Sequence, residues 1–268
     1  MDDANQLEAE LNGALWTTRL GRPARVFDTL GSTQDEARRQ ARAGAPEGTV
    51  VWALEQSAGR GRMQRSWASR KGAGLWFSVV LRPSGGAQAA ALLSLAAGVG
   101  MARALDGPTG GRVRLKWPND VLVGGRKLAG ILSEAETQDG TVAFVIVGIG
   151  LNLDPGPEGF PPEIADVAIA LSEVAPATVA PAMLMAAILA ELESAFDTAA
   201  ADRDELRRAW LEVSDTVGSD IRAELGGKVV SGRAVDLDVD GALVIDTGAG
   251  DLTRVHSGEV VHLRPDQK

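Results

Sequence analysis

Glu55-Gln-Ser-Ala-Gly-Arg-Gly-Arg-Met-Gln-Arg-Ser-Trp67 is the stretch on which the reading of the fold turns. It follows Thr49–Gln56, whose alternation is that of a strand, and it leads to a second apolar run at Gly74–Arg82. A glycine pair directly after a strand raises the dinucleotide-binding arrangement. The third glycine of G-x-G-x-x-G would fall at position 64, however, which is Gln64, and no helix opens behind it. There is no G-x-x-x-x-G-K-[ST] segment either. What remains is a glycine-hinged loop between two strands. Arg60, Arg62, Arg65 and Arg70 are interleaved with its glycines, beside one aromatic, Trp67. Glycine lets a backbone approach a ligand closely, and arginine grips phosphate or carboxylate through paired hydrogen bonds. The ordinary reading of such a segment is a solvated basic loop. Four arginines in a chain of net charge −9 favour an anion site.

Working outward, residues 5–16 place Leu7, Leu11, Ala14 and Leu15 at helical spacing. Ala24–Thr29 reads as a strand running into Gly31-Ser32-Thr33. Gln34–Ala43 then reads as a polar helix, with Ser32 and Asp35 in the pattern of a capping box. Ala87–Leu105 is apolar on nearly all sides, as a buried helix is. Arg112–Trp117 is a strand ending at Pro118. Lys127–Glu136 and Thr141–Leu153 form a strand pair turning at Asp139-Gly140. Ala165–Val174, Pro181–Asp197 and Arg203–Val213 are the remaining expected helices. Beyond Val213 short alternating segments are punctuated by Gly226-Gly227, Asp240-Gly241, Gly248 to Gly250 and Ser257-Gly258. Turns at this spacing predict a small β-barrel. The division is therefore residues 1–214, with 1–22 a helical N-terminal extension, and residues 215–268.

Composition narrows the chemistry. A hydrophobic content of 45% supplies a buried core, and the acidic balance opposes broad nucleic-acid or anionic-membrane binding. With no cysteine and only His256 and His262, thiol nucleophiles, disulfides and cysteine- or histidine-rich metal sites are excluded. The acidic N-terminus lacks the apolar core of a signal peptide, and the alanine-rich runs are broken before about 18 residues, so no membrane span is expected. A cytoplasmic enzyme fits best.

Three further clusters carry polar groups out of apolar strands. Lys116-Trp-Pro-Asn-Asp120 ends a strand in a loop where a lysine, an amide and a carboxylate can converge, although Asn and Asp after Pro are often plain turn residues. Lys127 opens the apolar strand Lys-Leu-Ala-Gly-Ile-Leu132, and points either to solvent or into a pocket against a negative charge. Gly148-Ile-Gly-Leu-Asn152 offers two glycines that clear room and one amide, or else a packing bulge.

In order, the chain reads G-S-T at Gly31–Thr33, E-Q-x-x-G-R-G-R at Glu55–Arg62, K-W-P-N-D at Lys116–Asp120, K-L-A-G-I-L at Lys127–Leu132 and G-I-G-L-N at Gly148–Asn152. This ordered set resembles the biotin protein ligases, over roughly residues 24–264. The resemblance implies an α+β fold: a mixed sheet flanked by helices, like class II synthetases and biotin–lipoate ligases, with a small C-terminal SH3-like β-barrel. It also implies a carbon–nitrogen ligase that uses ATP with Mg²⁺ to turn biotin into biotinyl-AMP, then passes biotin to a lysine of a biotin carboxyl carrier domain. Ser32 and Thr33 would lie at the biotin ureido end, with Gln56 a further biotin contact and Gln34 among the binding residues. Arg60, Gly61 and Arg62 would close over biotin and the phosphate, and Trp67 would pack on adenine. Lys127 would meet the biotin carboxylate and phosphate, with Lys116, Asn119 and Asp120 near the nucleotide and the incoming lysine. Gly130, Gly148 and Asn152 would line the pocket. Lys127, Arg62 and Asp120 are the implied catalytic residues, and no protein metal site is expected. The family often has Asn where this chain has Gln34, and Gly where it has Gln64.

The rival readings are a lipoyl or octanoyl ligase or transferase on the related scaffold, a biotin-responsive repressor, and a non-catalytic biotin binder. G-R-G-R and K-W-P-N-D oppose the first. The second would need a winged helix, and only about two dozen residues precede the first strand. Homodimer formation stays open at this level, and no nucleic-acid or membrane partner is expected.

Overall fold

The computed structural model describes residues 4–84, 88–175, 179–225, 228–248, 250–256 and 258–263. Ala87, Gly226-Gly227, Ala249 and Ser257, which enter the expected elements and turns, lie outside that set. Within it, β1 (Ala24–Leu30), β2 (Val50–Gln56), β3 (Gly74–Leu81), β4 (Val113–Lys116), β5 (Asp120–Val123), β6 (Arg126–Gln138) and β7 (Thr141–Asn152) form one mixed sheet. The order is β1-β2-β3-β7-β6-β5-β4. Only the β1–β2 pair is parallel.

The two faces of this sheet are unlike. Leu75, Phe77 and Val79 of β3 alternate onto one face with Val145, Val147, Ile149 and Leu151 of β7. Helices α3 (Gln88–Thr109) and α4 (Pro181–Ala201) close over that face, joined by α1 (Ala4–Ala14) and α5 (Arg203–Glu212). The opposite face is covered only in part. Ala37 and Ala41 of α2 (Thr33–Arg42) pack on Val51, Val80, Phe144 and Ile146, so the other end of that face is left for the loops.

Two expectations are corrected here. Ala165–Val174 is not a helix: it leaves a turn through Val167 and runs as extended chain beside β6 over Ala168–Ala170, with Lys127 N donating to Val167 O and Ile169 N donating to Lys127 O. The sheet takes the backbone groups of the bridging residues, and a short 3₁₀ turn follows at Leu171–Glu173. The segment after Pro118, read as loop, contains β5. Gly124 and Gly125 (φ 59° and 75°) make the two-residue turn into β6, the left-handed pair that a tight hairpin requires.

The C-terminal strands β8 (Asp220–Leu225), β9 (Lys228–Leu237), β10 (Leu243–Asp246), β11 (Leu252–Val255) and β12 (Glu259–His262) pair antiparallel in the order β11-β10-β9-β8-β12. Among the described residues no ladder joins β11 to β12, so this is an SH3-like antiparallel sheet without a closing pair. Its apolar side is continuous with the main core. No helix among the described residues is long and apolar enough to cross a membrane.

The N-terminal segment is fastened by a buried carboxylate. Glu193 of α4 accepts from the amides of Thr18, Arg19 and Leu20 at 2.7–2.8 Å, and from Thr18 Oγ1. Burial pushes its carboxyl up, but those donors outweigh it and hold the group below the ordinary glutamate value. The resulting stability is present above about pH 4.3 and is lost as the pH falls through the depressed folded value. We expect Glu193→Gln to cost about 1–3 kcal/mol at neutral pH. The gap to wild type in urea titrations should narrow in acid; a gap independent of pH would mean that the charge does not matter.

Candidate active site

At the α2 end of the open face, β1 runs into Gly31 and the helix begins. Ser32 has extended backbone (φ −155°) at the N-cap, but its side chain makes no capping bond. The expected capping box is absent because Asp35 is taken by Arg38 (3.0 Å) and Arg60. The Thr33 amide instead donates to Gln56 Oε1 at 2.8 Å. Ser32, Thr33 and Gln34 are all buried. Gln34 Nε2 donates to the carbonyls of Leu132 and Ile146, and its oxygen receives Ser78 Oγ. A Cβ at position 148 would stand 2.4 Å from Gln34 Oε1. Gly148 thus makes room for Gln34 rather than directly for a ligand.

Further along the face, Gly130 and Gly150 are partners across the β6–β7 ladder. Trp67 lies on them: an added Cβ would come within 2.9 Å of its ring at position 130 and 2.6 Å at position 150. Lys127 Nζ is 5.1 Å from the Trp67 ring centroid and pairs with Asp120 at 2.6 Å. An aromatic plate, an ammonium and a carboxylate therefore meet on a shelf free of side chains. The indole N–H of Trp67 is buried with no partner.

The arginine loop is held from three sides. Arg60 reaches Asp35 and lies 3.8 Å from Glu134. Arg65 pairs with Glu259 of β12 at 2.5 Å. Among the described residues Arg62 has only neutral hydrogen-bond partners, Asn119 Oδ1 at 3.2 Å and Gly258 O at 3.3 Å. Burial lowers its pKa against the pull of Asp120 and Glu259, yet a guanidinium stays charged at neutral pH. A partly dry cation bonded to neutral oxygens is a receptor for an anion. Gly61 turns the loop, its amide donating to Arg65 O. Met63 and Gln64 have φ of 55° and 60°.

Not every expected residue faces the shelf. Asn152 is buried and its amide donates to Lys127 O and Ile169 O, tying β7 to the extended segment beside β6. Asn119 is shared, donating to Ile131 O at 2.7 Å while accepting from Arg62. Lys116 stands opposite Asp120 in the β4–β5 ladder; Asp215 and Glu259 are lowered chiefly by their bonds to His262 and Arg65, with a smaller pull from Lys116. The structure adds residues the sequence reading passed over. Ser78 is a lone hydroxyl in the otherwise apolar β3, which was a visible signal. Ser69 receives Gln56 Nε2 at 2.8 Å. Glu259 and Gly258 reach the loop from about 200 residues away in sequence, beyond any local pattern. No group of three His, Asp or Glu among the described residues is arranged to hold a metal ion.

Residues 26–152 match the biotin/lipoate A/B protein ligase family, and residues 216–263 match the biotin protein ligase C-terminal domain. The biotin--[acetyl-CoA-carboxylase] ligase of Mycobacterium tuberculosis is 38% identical over 245 residues, 89% of this chain and 88% of that protein. The chain belongs to the biotin protein ligase family. The bifunctional ligase/repressor BirA of Bacillus subtilis is 34% identical over 254 residues, 94% of this ligase and 78% of that protein. Biotin protein ligase from Aquifex aeolicus, solved in complex with biotin and ATP, superposes with a TM-score of 0.77 at 28% identity, over 90% of this ligase and 98% of that chain.

Two predictions come from this geometry. Gly150→Ala places a methyl against Trp67, so the ring must lift from the shelf. Tryptophan fluorescence should change, and ATP should bind more weakly in calorimetry; unchanged binding would separate Trp67 from the nucleotide. At Gln64 the left-handed backbone disfavours side chains by about 1–2 kcal/mol, most of all β-branched ones. Gln64→Gly should keep pyrophosphate release near wild type, and Gln64→Val should lose about tenfold.

Proposed function

We propose that the glycine shelf is where this ligase joins biotin to ATP, forming biotinyl-5′-AMP and pyrophosphate, before biotin passes to one lysine of a biotin carboxyl carrier domain. The Lys127–Asp120 pair over Trp67 is the observation that supports it most directly. In the first step a biotin carboxylate oxygen bonds to the α-phosphorus and the bond to the β-phosphate oxygen breaks. Two anions must meet, at a cost of about 4 kcal/mol per charge pair near a protein surface. Lys127 exchanges Asp120 for the reacting anions, and Arg62 exchanges its neutral partners for a phosphate oxygen, so fixed positive charge stands where negative charge gathers. Mg²⁺ travels with the ATP phosphates. Trp67 offers adenine a flat face.

In the second step the lysine amine attacks the acyl carbon, and AMP leaves as the acyl–phosphate bond breaks. Asp120, released from Lys127, accepts the proton of the attacking amine. No covalent enzyme intermediate is needed, in keeping with a chain without cysteine. The remaining site assignments, Ser32, Thr33 and Gln56 toward the ureido ring with Gln34 packed behind them, and Arg60 and Gly61 toward the adenylate, belong to the same proposal. So do the division at residue 214 and a cytoplasmic setting.

The deciding experiment is mass spectrometry of a biotin carboxyl carrier domain after incubation with this protein, biotin, ATP and Mg²⁺. A gain of one biotin on one lysine is expected; an unmodified carrier together with biotin-independent pyrophosphate release would overturn the reading. Lys127→Ala should slow adenylate formation by about 10²–10³, the scale of losing one transition-state donor. Pyrophosphate release near wild type would remove Lys127 from that role.

A further inference from the structure

The hydrogen bonds behind Thr33 hold one proton too few. Gln34 Oε1, Ser78 Oγ, Thr33 Oγ1 and Gln56 Oε1 follow one another at 3.1, 2.9 and 3.1 Å. Both amides are fixed oxygen-inward. Gln34 must turn its NH₂ to the carbonyls of Leu132 and Ile146. Gln56 must turn its oxygen to the Thr33 amide, while its NH₂ donates to Ser69 Oγ, whose own proton goes to Trp67 O. Between the two amide oxygens stand two hydroxyls with one proton each, and three contacts to fill.

Distance and burial decide which contact goes without. The hydroxyl–hydroxyl contact is the shortest, so a proton lies in it. The Gln34 end is sealed: Gln34 and Ser78 are 3% and 0% exposed, and a bare oxygen there would carry its desolvation penalty with no means of relief. Gln56 is only half-buried. Ser78 therefore donates to Gln34, Thr33 donates to Ser78, and the gap falls between the buried Thr33 Oγ1 and the oxygen of the half-buried Gln56. Two acceptors 3.1 Å apart with no proton between them form a cradle for an incoming N–H.

We propose that Gln34 and Ser78 are positioning residues that set the direction of these protons, so that the pocket demands an N–H donor and selects a cyclic urea over a ring without one. Neither side chain meets the ligand in this scheme; each acts through Thr33. This rests on biotin being the substrate, as proposed above. It also explains why a glutamine serves at position 34: its length spans from Ser78 to two strand carbonyls, across the space left by Gly148.

The test is KM for biotin, and for biotin methylated at either ureido nitrogen, with wild type, Ser78→Ala and Gln34→Asn. In Ser78→Ala the Thr33 proton turns to Gln56 and fills the cradle. Its KM for biotin should rise about tenfold with KM for ATP and kcat retained, and its preference for biotin over the methylated analogues should fall by a similar factor. Gln34→Asn should move the same ratio the same way. The ratio does not depend on the folded fraction, so a poorly folding variant still reports. Variants that lose stability but keep the wild-type preference would overturn the inference. A wild-type protein that ignores biotin would instead overturn the substrate assignment.

Discussion

Side chains are missing from one patch of one face of the main sheet, and most of the site depends on that. Gly130 and Gly150 face each other across the β6–β7 ladder, with Gly148 two residues along. Glycine inside a strand costs about 0.5–1 kcal/mol relative to alanine, through the freedom it loses. Three of them in one patch would weaken an ordinary sheet. Here the space is taken up by Gln34 over Gly148 and by Trp67 over the other two. The helix side of the same strands is dense with Val145, Val147, Ile149 and Leu151, which keeps the ladder intact beneath its bare patch. The bare backbone lets Trp67 and Gln34 lie flat against a well-anchored sheet, and the opposite face supplies the anchoring.

The charges around the patch are arranged to be exchanged. Arg60 and Arg65 hold carboxylates on α2 and β12, so the loop is tethered at two places that no substrate has to displace. Arg62, between them, is held by an amide oxygen and a backbone carbonyl, both weaker partners for a guanidinium than an anion. Lys127 is the opposite case: its carboxylate partner is close, and it leaves only for an anion of comparable strength. One cation is poised for any anion, and the other answers to a strong one. A site that must gather two anions benefits from both kinds.

Much of the architecture was legible because strands and helices announce themselves by period. The runs at β2, β3, β6 and β7, the polar helix α2 and the long α4 all stand near where alternation placed them. The misses have local causes. The segment 165–174 has helical composition, but its backbone is claimed by Lys127 and Asn152, and no pattern within the segment reveals partners that far away in sequence. β5 is four residues long and sits behind Asn119, so its turn-forming neighbours disguised it. In the site, motif order brought out Lys127, Asp120, Arg62 and Trp67 as neighbours. It could not say that Asn152 and Gln34 would spend their amides on backbone carbonyls, because that depends on which face of a strand meets which helix end.

Trp117 joins the reactive loop to the small C-terminal sheet. Its ring is buried, its indole N–H donates to Gly241 O, and its amide donates to Thr216 Oγ1. The residues that follow it, Asn119 and Asp120, are those that hold Arg62 and Lys127. The C-terminal sheet therefore touches the site twice, through Trp117 from beneath and through Gly258 and Glu259 from above. Removing it would release the Arg65 and Arg62 contacts and also uncover the apolar support of the Lys116–Asp120 turn. The small sheet is thus part of the site's framework, and the arginine loop is fastened between two sheets.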